Sequence, residues 1–280
     1  MDSPLVSTKW LTEHLQDENL RIVDIRGNVL PAIKPPPHYV SHRDAYNESH
    51  IPNAVFVDWM VDIIEPGSPS NDIASPERFA ALMGQLGIDN DTIVVVYDDK
   101  DGMFAARFWW AMQYYGHKAV YVLDGGWLKW AAEERPTDNL KPIISTTKFI
   151  PRVNSDIRAE STDILDSENV QLIDVRSPAE FSGKASRADR MGHIPNAINL
   201  PRKTMVADGS VMPSVDELKT KFESMDISLD ADTIIYCNSG VSASYGMLAM
   251  QVAGAKNVRV YDGSWKEWGN DDTKLIVKPE

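Results

Sequence analysis

The 280-residue chain has a single cysteine, Cys237, which excludes an internal disulfide and any metal site built from several thiolates. Positive charge is scarce as well: 28 Lys and Arg against 41 Asp and Glu leave a net charge of −13. Such an acidic chain is a poor match for a nucleic-acid backbone or an anionic membrane surface, both of which reward basic patches. A small anionic ligand stays within reach, because it responds to the local field of a site and not to the total charge. No apolar run approaches membrane-spanning length, and Met1-Asp2-Ser3-Pro4-Leu5 has neither a basic nor an apolar leader character. The expectation is a soluble, cytoplasmic protein with no membrane and no nucleic-acid partner. Core-forming residues, by contrast, are plentiful: 43% of the chain is hydrophobic, enough for one large domain or two of ordinary size.

Internal repetition decides between these. Ile22-Val23-Asp24-Ile25-Arg26 returns as Leu172-Ile173-Asp174-Val175-Arg176, and His50-Ile51-Pro52-Asn53-Ala54 returns unchanged at His193–Ala197. Leu123-Asp124-Gly125-Gly126-Trp127, with Trp130 after it, returns as Tyr261-Asp262-Gly263-Ser264-Trp265 with Trp268. Three blocks in the same order make the chain a tandem of two related domains, expected at 1–140 and 152–280, joined by a linker over Pro136–Pro151. In the second copy the β-rich runs are Gln171–Val175, Ala197–Leu200, Thr233–Tyr236 and Val258–Tyr261. Helical spacing covers Val215–Met225, after the cap Ser214, and Val241–Ala253, before Gly254. The first copy matches with a strand at Thr92–Tyr97 and helices at Pro76–Leu86 and Met103–Tyr115. Strands alternating with helices predict two α/β domains, each a parallel sheet with helices on both faces.

Cys237 falls directly after a predicted strand and before a predicted helix, in Tyr236-Cys237-Asn238-Ser239-Gly240-Val241-Ser242-Ala243. Ligands of open α/β sheets bind at the carboxyl ends of the strands. A short loop closing into a helix N-terminus also gathers backbone N–H groups that stabilise an anion, here a thiolate. Gly240 permits the tight bend, and Ser239 and Ser242 add neutral hydroxyl donors. Taken alone, a lone cysteine after a strand is a small buried hydrophobe. The first copy argues otherwise: its loop, Tyr97-Asp98-Asp99-Lys100-Asp101-Gly102, lacks a thiol and is one residue longer. Matching scaffolds with different loop chemistry imply that one domain carries the nucleophile and the other supports it.

These blocks together resemble the tandem-domain rhodaneses over residues 5 to 270. They comprise Asp-x-Arg, His-Ile-Pro-x-Ala, Cys-x-x-Gly-Val-x-Ala and Asp-Gly-x-Trp-x-x-Trp. The resemblance implies a sulfurtransferase whose second domain carries the active cysteine while the first is non-catalytic. Its ping-pong reaction takes sulfane sulfur from a small anionic donor onto Cys237 as a persulfide. An acceptor then receives it: cyanide, or a thiol such as that of a thioredoxin-like protein. No metal or organic cofactor is implied. Asn238 and Ser239 are neutral where thiosulfate-specific members carry cations, and Ser239, Gly240 and Val241 match the loop of 3-mercaptopyruvate sulfurtransferases, with Ser242 keeping a hydroxyl for threonine. Those enzymes carry arginines for the substrate carboxylate. Here Ala179-Glu180-Phe181 puts an acid where one is expected, leaving Arg187 and Arg190 as candidates for the other. The expectation is therefore 3-mercaptopyruvate as donor and Cys237, Ser239 and Ser242 as catalytic residues. Asn238, Gly240, Val241, Arg187 and Arg190 are expected to bind substrate. The alternatives are a thiosulfate sulfurtransferase or a persulfide carrier with little small-molecule turnover, the latter motivated by Glu180. A cysteine phosphatase of this fold needs Cys-x5-Arg, and that arginine position is Ala243.

The remaining prominent residues read as scaffold. His50 and His193 open the same turn in both copies, including the one without a thiol, although His50, Asp44, Asp58 and Asp98 keep a claim to the site. Asp24 with Arg26, and Asp174 with Arg176, read as ion pairs at strand ends. Trp127, Trp130, Trp265 and Trp268 read as packing, whereas adjacent Trp109 and Trp110 cannot both face one surface of a helix.

Overall fold

The computed structural model describes residues 3–30, 38–167 and 169–278. Met1 and Asp2, part of the expected leaderless start, and the last two residues of the expected second domain lie outside them. The first half runs β1 (Leu5–Val6), α1 (Thr8–Glu13), β2 (Leu20–Asp24), β3 (Gly27–Val29), β4 (Tyr39–Ser41), α2 (Arg43–Glu48), β5 (Val55–Phe56), α3 (Pro76–Gln85), β6 (Ile93–Tyr97), α4 (Met103–Tyr114), β7 (Val120–Leu123) and α5 (Gly126–Ala132). The second runs β8 (Arg158–Ala159), α6 (Ser161–Leu165), β9 (Gln171–Asp174), α7 (Pro178–Phe181), β10 (Ile198–Asn199), α8 (Val215–Glu223), β11 (Thr233–Tyr236), α9 (Val241–Val252), β12 (Val258–Tyr261) and α10 (Ser264–Trp268). Each half has a five-stranded sheet, in the orders β1-β7-β6-β2-β5 and β8-β12-β11-β9-β10, with every pairing parallel. The expected fold class is thus the observed one, and the two orders are the same topology met twice. Among the strands of the described residues, β3 and β4 alone pair antiparallel, and the second half shows no counterpart to them.

The repeated sequence blocks meet at the strand ends and hold one another. Tyr97 and Tyr236 close the central strands in register with Asp24 and Asp174. The Tyr97 hydroxyl donates to Asp24 (2.6 Å) and accepts from the Ile51 N–H; Tyr236 accepts from Ile194 in the same way. Asp24 pairs with Arg26 at 2.8 Å and Asp174 with Arg176 at 2.6 Å. Each guanidinium then stacks on the tryptophan of the third block, Trp127 at 4.2 Å and Trp265 at 4.4 Å. Burial pushes the Asp24 carboxyl up to about 6, against the pull of Arg26. His50 donates from Nδ1 to the Tyr46 carbonyl and His193 to that of Phe181, each imidazole stacked on the same partner's ring. Both histidines are therefore structural.

The halves pack through α4 and α9, which lie against each other. One apolar core runs across the junction and includes Trp109 from α4 with Met247 and Leu248 from α9. This resolves the tryptophan pair: Trp109 and Trp110 are both fully buried, because α4 is covered by its own sheet and by α9. The expected linker is strapped along the first half, with Thr147 bonded to Gly84, Ile150 to Asn90, and Phe149 buried against Phe79. Among the described residues, no helix is long and apolar enough to cross a membrane.

Candidate active site

Strand β11 delivers Cys237 to the carboxyl end of the second sheet, and three residues later Gly240 caps α9 with φ +73°. Cys237 is the chain's free thiol and is 4% exposed. What the loop is built to hold is visible in its twin. There Asp98 stands where Cys237 stands, directly after β6, and Gly102 (φ +74°) caps α4. The Asp98 carboxylate accepts four backbone N–H groups, from Lys100 (2.8 Å), Gly102 (2.9 Å), Phe104 (2.7 Å) and Ala105 (2.9 Å). The turn is a cradle for a negative group at the strand end. Burial pushes the Asp98 carboxyl up while these N–H bonds pull it down.

In the second loop one of those donors has another partner. The Gly240 N–H and the Cys237 N–H both donate to the Ser264 hydroxyl (3.1 and 3.2 Å), which donates to the Tyr261 carbonyl. Ser264 holds a left-handed φ of +52°, unusual for a residue with a Cβ, as does its counterpart Gly126. The Cys237 and Asn238 carbonyls accept from Trp265 and Lys266. The loop is thereby laid along the start of α10.

Around Asn238 the charged side chains converge. Its amide donates to Glu180 (2.8 Å), and Glu180 faces Arg187 at 3.6 Å. Glu180 sits where it does for a local reason, since it is the third residue of α7 and closes a capping box with Ser177. Arg187 also donates to the Leu30 carbonyl across the domain junction. Lys266 reaches Asn71 of the first half at 3.3 Å; burial, and then the nearby Arg187 guanidinium, hold its ammonium below the usual lysine range.

The structure thus brings Cys237, Asn238, Gly240, Val241, Glu180 and Arg187 together. No hydrogen bond within the protein occupies the Ser239 hydroxyl among the described residues. Ser242 turns its hydroxyl to the Met103 sulfur at 3.3 Å, across the junction. Arg190 is placed elsewhere: its guanidinium binds the carbonyls of Trp268, Gly269, Asp271 and Lys274, fastening the C-terminal segment, and so is not available as a substrate arginine. Asp58 is spent on the Met60 N–H, and His50 on Tyr46, Leu140 and Asp138. Three residues that sequence reasoning passed over matter here: Ser264, Lys266 and Arg107. Each marks a difference inside the repeat (Gly126, Leu128 and Tyr245 in the other copy), and that was their legible signal.

The rhodanese-like domain family matches residues 7–133 and 158–271. The sulfur carrier protein TtuD of Thermus thermophilus is 35% identical over 99% of this chain and 97% of its own. A thiosulfate sulfurtransferase of Corynebacterium glutamicum is 34% identical over 95% of this chain and 87% of its own. The crystal structure of SseA from Escherichia coli, described as a 3-mercaptopyruvate sulfotransferase, superposes with a TM-score of 0.84 at 31% identity, covering 94% and 99% of the two chains. The chain belongs to the rhodanese-like domain family. Within it, the chain is one of the two-domain sulfurtransferases.

Proposed function

We propose that this sulfurtransferase takes sulfur from 3-mercaptopyruvate onto Cys237 and passes it to cyanide or a thiol. The observation that carries the reading is the cradle: a turn that holds a carboxylate in one half presents a thiol at the same strand end in the other. An ionised Cys237 attacks the sulfur of the donor, the carbon–sulfur bond breaks, and its electron pair leaves on the enolate of pyruvate. The enolate takes a proton to become pyruvate, and Cys237 is left as a persulfide. Attack of the acceptor on the outer sulfur then returns the Cys237 thiolate. In this scheme the Ser239 hydroxyl donates toward the enolate oxygen as charge develops there, while Ser242 ties the start of α9 to Met103. The first half stays non-catalytic, because Asp98 fills its cradle. The scheme uses no metal or organic cofactor. A persulfide carrier needs a reduced thiol, which suits the cytoplasm.

The donor follows from charge. Arg187 and Lys266 against Glu180 leave one net positive charge beside Asn238, which suits the single carboxylate of mercaptopyruvate better than a dianion. A second reading has its own observation: Glu180 already faces Arg187, so the guanidinium is not free to grip a carboxylate, which favours a persulfide carrier serving a protein thiol. The relative named as a sulfur carrier supports that reading.

Intact-mass measurement tests the scheme. Treatment with 3-mercaptopyruvate should add one sulfur to the wild type and none to Cys237→Ser, whose turnover should fall by at least about a thousandfold. Turnover with thiosulfate should be lower under the same acceptor. Poor turnover with both donors, with fast transfer from Cys237 to a protein thiol, would favour the carrier. Full activity in Cys237→Ser would remove the scheme altogether.

A further inference from the structure

Arg107 is the charged residue of α4, and it is fully buried in a helix that is otherwise almost wholly apolar. A cation taken out of water costs several kcal/mol unless partners repay it. Its ion-pair partner belongs to the other half. Arg107 Nη2 lies 2.6 Å from Asp262 Oδ1, and the guanidinium stacks on Trp110 at 4.7 Å. The second Asp262 oxygen accepts the Ile73 N–H and faces Arg158 at 3.9 Å. The guanidinium also lies flush under the Cys237 turn: a Cβ on Gly240 would stand 2.6 Å from Arg107 Nη1 and 2.8 Å from Asp262 Oδ1.

The twin loop supplies the contrast. Arg107 is the fifth residue after Gly102, and the fifth after Gly240 is Tyr245. Each reaches across the junction, so that Tyr245 packs under Gly102 while Arg107 packs under Gly240. Asp124, the counterpart of Asp262, accepts the Met212 N–H just as Asp262 accepts that of Ile73. The exchange puts the cation beneath the loop that bears the thiol and a neutral ring beneath the loop that bears a carboxylate.

We propose that Arg107 is a positioning residue for sulfur transfer, clamping the Cys237–Gly240 turn from the other domain and bringing the positive charge that Asn238 and Ser239 lack. This rests on Cys237 being the sulfur-bearing residue, not on which donor it uses. Arg107 touches neither donor nor acceptor, so its loss should appear in kcat and in thiol reactivity more than in KM. It also explains why the first half accompanies the second: the supporting domain contributes a charge beneath the site.

The test uses the full chain and three variants, Arg107→Lys, Arg107→Met and the pair Arg107→Met with Asp262→Asn, which removes the orphaned carboxylate. The rate of Cys237 alkylation by iodoacetamide is followed against pH, alongside kcat and KM. For Arg107→Met alkylation of Cys237 should slow at every pH followed. The neutral-pH rate should fall about tenfold, kcat should fall in step and KM should change by less than about threefold. The paired variant should recover melting temperature without recovering reactivity, and Arg107→Lys should lose about threefold. Folded Met variants with wild-type alkylation profile and kcat would overturn the proposal; if only Arg107→Lys folds, wild-type kcat there overturns it. Cys237→Ser run beside them separates the two failures. If it keeps full turnover, the sulfur-bearing role itself is wrong; if it is inactive while the Arg107 variants behave as wild type, only the clamp is.

Discussion

The Asp98 and Cys237 loops are the same device used in two ways. Both follow the central strand of a parallel sheet, both turn through a left-handed glycine, and both open a twelve-residue helix. In one, the chain supplies its own carboxylate, which cannot leave and which accepts four N–H groups of the turn and the first turn of α4. In the other, a shorter loop places a thiol at the same point and gives one donor, the Gly240 N–H, to Ser264. A cradle filled by its own chain is a stability element, and one presenting a thiol is, in the scheme proposed above, a reaction site. The comparison teaches that the cradle of the first half is already filled, by a side chain that cannot dissociate.

If so, the two positions should part cleanly under mutation. Asp98→Ala would leave two buried donors, Phe104 and Ala105, and two partly buried ones, Lys100 and Gly102, without this acceptor; at about 1 kcal/mol for each buried group and about half of that where water can reach, the fold should lose about 3 kcal/mol. Asp98→Asn, which keeps one acceptor oxygen, should lose roughly half of that. Urea unfolding of both variants beside Cys237→Ser checks it, the last being expected within about 1 kcal/mol of wild type because its side chain is an acceptor for none of these bonds. Equal destabilisation at the two positions would break the comparison.

The glycines sharpen it. Gly102 and Gly240 share a left-handed φ, so alanine costs each about 1 kcal/mol in backbone strain. Their surroundings differ. A Cβ on Gly102 would meet the Tyr245 ring edge at 3.2 Å, where a few tenths of an ångström of give suffices, whereas on Gly240 it would meet Arg107 and Asp262 below 3 Å. Gly240→Ala should therefore destabilise by about 2–3 kcal/mol and Gly102→Ala by about 1–1.5, read as urea midpoints. Only the first should also slow sulfur transfer.

Much of this was legible in the sequence, because repetition separates scaffold from chemistry. Whatever recurs (the Asp24 and Asp174 ion pairs, the His50 and His193 turns, the paired tryptophans) proved to be framework, since one sheet topology needs the same strand-end locks twice. The thiol site was legible because Cys237 breaks the repeat. The differences at Arg107, Ser264 and Lys266 stood in plain sight, yet their meaning depends on which residues the junction brings together, and periodicity along one chain carries no such information. Arg190 shows the converse. It lies in the loop after the Asp-x-Arg strand, where the family resemblance implied a substrate arginine, but four carbonyls of the C-terminal segment claim its guanidinium, and no local pattern announces them.

The smallest expected effect lies at Ser264, where stability and reaction should separate within one residue. Its left-handed backbone costs about 1 kcal/mol that glycine would not incur. Its hydroxyl repays this by accepting from Cys237 and Gly240, each bond worth about 0.5–1.5 kcal/mol net. Ser264→Gly, which copies Gly126, relieves the strain but strands both N–H groups, so the net loss of stability should be about 1 kcal/mol. The Cys237 and Gly240 N–H groups would then lose the acceptor that fixes the turn, and kcat should fall about tenfold with KM little changed. Ser264→Ala keeps the strain and loses the bonds, so it should be less stable than the glycine variant and equally slow. Should Ser264→Gly turn over as fast as wild type, the hydroxyl holds the turn only for stability, and the distinction between the loops rests on Cys237 and Asp98 alone.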